Sequence, residues 1–218
     1  MAVWGVDGRT GGWVAVALTL PAATVAAART LDELPLDGVT GIDMPLGLLA
    51  DGWRTTDTLA RRALGRRGVT VFAVPPRSVW ERATYAEANA LCKTLTGRGM
   101  SVQAWGLRAR LLEAAEFRCT RAGALLHEVH PELAFAAMAG APVPASKHTD
   151  EGLAVRHALL AGAGIELPPG PVPGAREHDV LDAAAVAWSA ARVAAGTAVT
   201  LTDPAQRADD GREIAIRY

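Results

Sequence analysis

Four aspartates carry the chemistry that this sequence suggests. Asp7 closes the apolar stretch VWGVD, Asp43 closes GVTGID, and Asp179 and Asp182 open the alanine-rich run EHDVLDAAAVAWSAARVAAG. The i, i+3 spacing of the last two puts both carboxylates on one helical face, and that face continues through Ala183 and Val186. The face should therefore pack on a sheet, with its acids aimed at the strand ends. Like charges gathered against a core are costly unless neutralised, and a divalent cation is the usual solution. Mg2+ prefers carboxylate oxygens, and two ions about 4 Å apart can clamp the attacking and leaving oxygens of a phosphodiester.

Each acid also has a local explanation. Asp7 beside Gly8 suits a hairpin turn, and Asp43 before Met44-Pro45 could cap a turn. Asp179 could be an N-cap, and Asp182 suits the positive end of a helix dipole. Capping does not explain why the acids fall together at the ends of two strands and one helix. Glu128, beside His130 in ALLHEVHPE, is a fifth candidate catalytic acid, with a buried, paired carboxylate as the alternative. Glu132 is explained as a helix-start residue, and His130 either orients a carboxylate or a water or is structural.

The elements that must position these residues follow from patterning. Val3 to Val6 and Trp13 to Leu18 read as a hairpin turned by Asp-Gly and Gly-Gly, and residues 23–30 supply a third antiparallel strand. The strand ending at Asp43 is reached by a crossover, so the sheet is mixed. From Trp53 to Arg67 the pattern is helical, with Thr55, Thr56 or Asp57 as cap and Gly65 and Gly68 at the exit. VTVFAVPP reads as a short strand stopped by Pro75 and Pro76. SVWERATYAEANALCKTL reads as a helix with a Ser78/Glu81 capping box, and SVQAWGLRARLLEAAEFRC as another helix. Residues 53–119 thus form a mostly helical insertion. The next strand spans 124–132, with Leu126, Glu128 and His130 on one face. Helices follow from Pro131 to Met138, from a Thr149 cap, and over the alanine-rich run closed by Gly196.

With 218 residues, half of them hydrophobic, one α/β domain over 1–218 is expected. A net charge of −1 excludes a whole-protein basic field. Locally, seven arginines (54, 61, 62, 66, 67, 77, 82) face two acids (Asp57, Glu81), either a phosphate-contacting surface or a solvated helix in an Arg-biased protein. Cys92 and Cys119 lack metal spacing and read as reduced thiols. No apolar run reaches the roughly 18 residues of a membrane span, and no charged leader precedes the first apolar stretch, so a cytoplasmic protein without membrane partners is expected. Six tryptophans leave room for an apolar interface between copies, so a homo-oligomer stays open.

The stretches GVDGRTGGWV, GIDMPLGL, ARRALGRRGVTVFAVPPR, QAWGL, HEVHPELAF, SKHTDEGLAVRHALL and HDVLDAAAVAWSA run in order through nearly the whole chain. They resemble the domain-of-unknown-function family labelled predicted RNase H-like nucleases (DUF429). The resemblance implies a ribonuclease H-like α/β fold, a mixed sheet of three antiparallel strands followed by parallel strands, flanked by helices. It implies a metal site with one acid from the first strand, one from the fourth and one or two from the last helix. Here these are Asp7, Asp43, Asp179 and Asp182, with Mg2+ or Mn2+ as cofactor. Asp43 stands where related nucleases often have Glu, which shortens its reach by one methylene. Glu128 matches the family's EVHPE stretch, which carries no assigned role. Arg62, Arg77, Gln103, Ser146 and Lys147 lie in matching stretches and are the expected contacts to DNA or RNA, Lys147 as a phosphate or transition-state contact.

The expected activity is metal-dependent hydrolysis of nucleic-acid phosphodiesters by in-line attack of water. One alternative is a non-catalytic metal- or nucleotide-binding regulatory protein on the same fold. Another is a phosphoryl-transfer enzyme of the actin and sugar-kinase kind, which normally needs two fold copies; no second GVDG hairpin occurs.

Overall fold

A computed structural model describes residues 2–19, 22–120 and 125–218. Its main sheet has five strands in the order β3-β2-β1-β4-β5. β1 (Val3–Arg9), β2 (Gly12–Leu18) and β3 (Thr24–Ala28) pair antiparallel, and β4 (Thr40–Ile42) and β5 (Leu126–Glu128) add in parallel. The first hairpin turns later than Asp-Gly suggests. β1 runs on to Arg9, which pairs with Gly12, so the turn is Thr10-Gly11, with Gly11 at φ 75°. Asp7 sits opposite Val14 within the ladder and is not a turn residue.

Strand alternation sends Trp4, Val6, Trp13, Ala15 and Ile42 to one face and Val14 and Val16 to the other. α1 (Thr55–Leu64) packs through Ala60 and Leu64 in a separate cluster with Leu133 and Ile216, and the first face is covered by α2 (Arg77–Trp80), α3 (Tyr85–Thr96), α4 (Val102–Gly106) and α5 (Arg108–Phe117). The second is covered by α6 (Pro131–Ala139), α7 (Asp150–Gly162) and α8 (Glu177–Ala194). Among the described residues no helix is long and apolar enough to cross a membrane.

Several local expectations are corrected. Thr55, Thr56 and Asp57 do not cap α1, because their polar atoms are used at longer range. The Thr55 amide donates to Gln206 Oε1 at 2.6 Å, the Thr56 hydroxyl donates to the Leu201 carbonyl at 2.8 Å, and Asp57 pairs with Arg54. VTVFAVPP is no strand. Val69 is exposed, Val71 closes a 3-10 turn, and the Val74 amide donates to Asp57 Oδ2 at 2.9 Å where a strand would need a ladder partner. The long helix with a Ser78/Glu81 box divides into α2, a single turn, and α3, whose capping box is Thr84/Glu87. The following helix breaks at Leu107 into α4 and α5, with Ser101 capping α4. β5 is shorter than read; His130 lies beyond it at the N-cap of α6, and Ala124 lies outside the described residues.

The C-terminal segment, to which no element is assigned from sequence, forms a hairpin of β6 (Thr200–Arg207) and β7 (Glu213–Arg217). It closes over α1 and meets the main sheet through a bridge between Val129 and Arg217.

Candidate acidic site

The site is built by close packing of α8 on the two strands that lead to Asp7 and Asp43. Gly5 and Asp7 share a face of β1, and Gly41 on β4 shares its face with Asp43 just beyond, whose amide continues the ladder by donating to the Val6 carbonyl. A Cβ on Gly5 would lie 2.1 Å from the Ala183 carbonyl oxygen and the Ala187 nitrogen, and one on Gly41 2.9 Å from Val186. Only glycine lets an alanine-faced helix settle this close. One turn toward its N-terminus, α8 then brings Asp182 to the carboxylates at the strand ends.

Burial and the neighbouring charges of Asp43 and Asp182 hold the Asp7 carboxyl well above the usual carboxylate range. Its Oδ1 accepts from the Gly8 amide at 2.8 Å. Burial raises Asp43 as well, against His130, Lys147 and a hydrogen bond with Asp7. Asp182 is fully buried and pushed up to about 6, mainly by burial and in spite of an ion pair between its Oδ2 and Lys147 Nζ. Among the described residues its Oδ1 has no hydrogen-bond partner. Burial works against the Lys147 ammonium, but Asp182, Asp7 and Asp43 together raise it above a lysine's ordinary range.

Asp179 is buried nearby and its charge reaches Asp7, and one of its oxygens is committed. Oδ2 accepts from the Arg176 amide at 3.0 Å, closing the first turn of α8, and Oδ1 lies 3.3 Å from His178 Nε2. Glu128 lines the same cleft but is the buried, paired carboxylate. Oε1 is bound by Arg54 and Oε2 accepts from the Leu46 amide at 2.6 Å, while burial, opposed by Arg54, pushes its pKa up to about 7. It thereby anchors the segment that follows Asp43. Glu132 is more than a helix-start residue: it is buried, with Oε1 held by Arg156 and Arg67.

The cleft, of about 150 Å3, is lined by Asp7, Asp43, Glu128, His130, Thr70 and Arg110 among others. Of the expected substrate contacts, Lys147 is brought to the acids, with Ser146 beside it in the same loop. Arg62 on α1 and Gln103 on α4 are exposed and do not line this cleft. Arg77 is tied to Asp209. Arg110, whose guanidinium lies over Gly8, was not singled out from sequence and carries no local signal. For Arg54 the i, i+3 spacing to Asp57 is such a signal.

These donors fit a hard divalent cation in kind: three inward carboxylates, one lysine among them, and a buried Asp182 oxygen left without a donor. Among the described residues, however, no three His, Cys, Asp or Glu side chains already close on one point. The Lys147 ammonium, bound to Asp182 and in the field of Asp7 and Asp43, is the cation around which the acids are arranged.

Residues 5–207 match the family described as protein of unknown function, DUF429. The matched stretch includes Asp7, Asp43, Glu128, Glu132, Asp179 and Asp182 and stops short of β7. No curated protein and no solved structure matches the chain.

Proposed function

The chain belongs to the DUF429 family, and from its acidic cleft we propose a cytoplasmic, divalent-metal-dependent nuclease of the ribonuclease H-like fold. One observation carries this assignment. Asp7 and Asp43 line one cleft, the charges of the buried Asp182 and of Lys147 reach them, and among the described residues an Asp182 oxygen has no hydrogen-bond partner. The sheet, three antiparallel strands followed by parallel ones with acids at the ends of β1 and β4, supports the fold assignment.

Asp7, Asp43 and Asp182 would hold the Mg2+ or Mn2+, which supplies charge neutralisation and polarisation at the scissile phosphate. Carried on β1, the end of β4 and α8, the carboxylates are preorganised, so little reorganisation accompanies reaction. Arg110 at the cleft adds positive charge toward a phosphate, and Arg62 on the exposed face of α1 is available to the nucleic-acid backbone further out. Glu128 and Arg54 act as positioning residues through the segment after Asp43.

The test is cleavage of labelled single strands, duplexes, an RNA–DNA hybrid and a four-way junction with Mg2+ or Mn2+, beside Asp7→Asn. Cleavage that disappears in the variant is expected. Equal cleavage by both proteins would expose a contaminant, and Mn2+ binding without cleavage on any substrate would replace the nuclease by a metal-binding regulatory protein.

A further inference from the structure

We propose that the site takes one divalent cation, not two, and that the Lys147 ammonium stands permanently where a second cation would stand; this rests on the acidic cleft being a metal centre. The first argument is a count of available charge. Asp7, Asp43 and Asp182 present three carboxylates, and Lys147 offsets one through its ion pair with Asp182. What remains matches the charge of one divalent ion, and a second would leave a buried excess of positive charge.

The neighbouring acids carry donors of their own. Asp179 Oδ2 accepts from the Arg176 amide, both oxygens of Glu128 are engaged by Arg54 and the Leu46 amide, and Glu132 Oε1 is held by two arginines, whose charges exceed its own, although its Oε2 has no partner among the described residues. The one oxygen of Asp182 that Lys147 does not take is left without a partner and supplies the ligand a single ion needs.

The second argument is that the lysine is held by its backbone and is not a mobile surface residue. The Ser146 carbonyl accepts from the Thr149 amide at 3.1 Å and from its hydroxyl at 2.9 Å. Gly152 on α7 lets this turn press against the helix, since a Cβ there would lie 1.8 Å from the Ser146 oxygen. Arg156, fully buried, donates to the carbonyls of Ala145 at 3.1 Å and Gly152 at 3.0 Å, pinning the loop to α7 immediately before Lys147. A side chain recruited only when a substrate phosphate arrives would need none of this.

Mn2+ titration of the full chain, followed by calorimetry and by the electron paramagnetic resonance signal of free Mn2+, decides the matter without any turnover. One ion per chain is expected for the wild type, two for Lys147→Ala, and one again for Lys147→Arg, which keeps the charge. Two ions in the wild type, or one in Lys147→Ala, would overturn the proposal while leaving a metal centre in place. Absence of Mn2+ binding from the wild type would remove the metal centre itself, and the lysine's role with it. Should Lys147→Ala not fold, the wild-type count and Lys147→Met carry the same test.

Discussion

Two groups of buried acids lie within one molecule and are treated in opposite ways. In one, Asp7, Asp43 and Asp182 share the charge of one lysine, and among the described residues an Asp182 oxygen has no donor. In the other, along the same cleft as Asp7 and Asp43, Glu128 and Asp57 are clamped by the fully buried Arg54 and by the amides of Leu46 and Val74, and one oxygen of Glu132 nearby is held by Arg156 and Arg67. Burial raises the carboxyl pKa of Glu128 and Asp57 as it does that of Asp7 and Asp182, so burial does not distinguish them. The supply of donors does. Glu128 and Asp57, with donors on both oxygens, brace the loop after β4 and the start of α1, whereas Asp7, Asp43 and Asp182 share a single lysine.

The largest effect should come from unpairing the braced group. Arg54→Ala leaves Glu128 and Asp57 buried without their cation and should cost about 3–5 kcal/mol in denaturant unfolding; a loss under about 1 kcal/mol would erase the distinction between the two groups. Next, Gly5→Ala pushes a methyl into the α8 backbone and should cost about 1–3 kcal/mol. Because it lifts α8 from β1, it should also weaken Mn2+ binding, and unchanged binding would show that the cleft does not depend on that seat.

A pH effect of about 1 kcal/mol should be traceable to Asp182. An aspartate titrates near pH 4 in the unfolded chain, about 3.9, and Asp182 near pH 6 in the fold. Between these values the folded state holds the extra proton, so stability of the metal-free protein falls as pH rises through that window. Unfolding at pH 5 and pH 7 with chelator present should show the protein weaker at pH 7, with a smaller difference in Asp182→Asn. Mn2+ should reverse the trend, because binding favours the deprotonated carboxylates.

Smaller still, Asp7→Asn keeps the acceptor for the Gly8 amide while removing one like charge. The metal-free variant should gain on the order of 1 kcal/mol in stability as it loses Mn2+ affinity. A stability loss would place Asp7 with the braced acids. The least effect belongs to Arg62→Ala, which should leave stability within about 0.5 kcal/mol and lower the salt slope of nucleic-acid binding by about 1.

Much of the layout was legible in the sequence because it is local. Alternation in VWGVDGRTGGWVAVAL marks the first two strands, and the spacing of Asp179 and Asp182 marks one face of α8. The errors were also local ones. Asp7-Gly8 has turn composition but continues a strand, because Val14 lies opposite and the later Thr10-Gly11 makes the tighter turn. Thr55, Thr56 and Asp57 have cap composition but spend it on β6, β7 and Arg54, partners that local spacing does not reveal beyond Arg54 itself.

By itself the sequence determined the strand order of the first hairpin, the helical insertion, and which acids end up near strand and helix ends. Such features follow from periodicity and from residues a few positions apart. Only the tertiary structure decided which of those acids are satisfied. Lys147 meets Asp182 across 35 residues, Arg54 meets Glu128 across 74, and Leu46 meets Glu128 across 82. Whether a buried carboxylate is a brace or an open ligand depends on donors that arrive from distant segments, and no short-range pattern records their arrival.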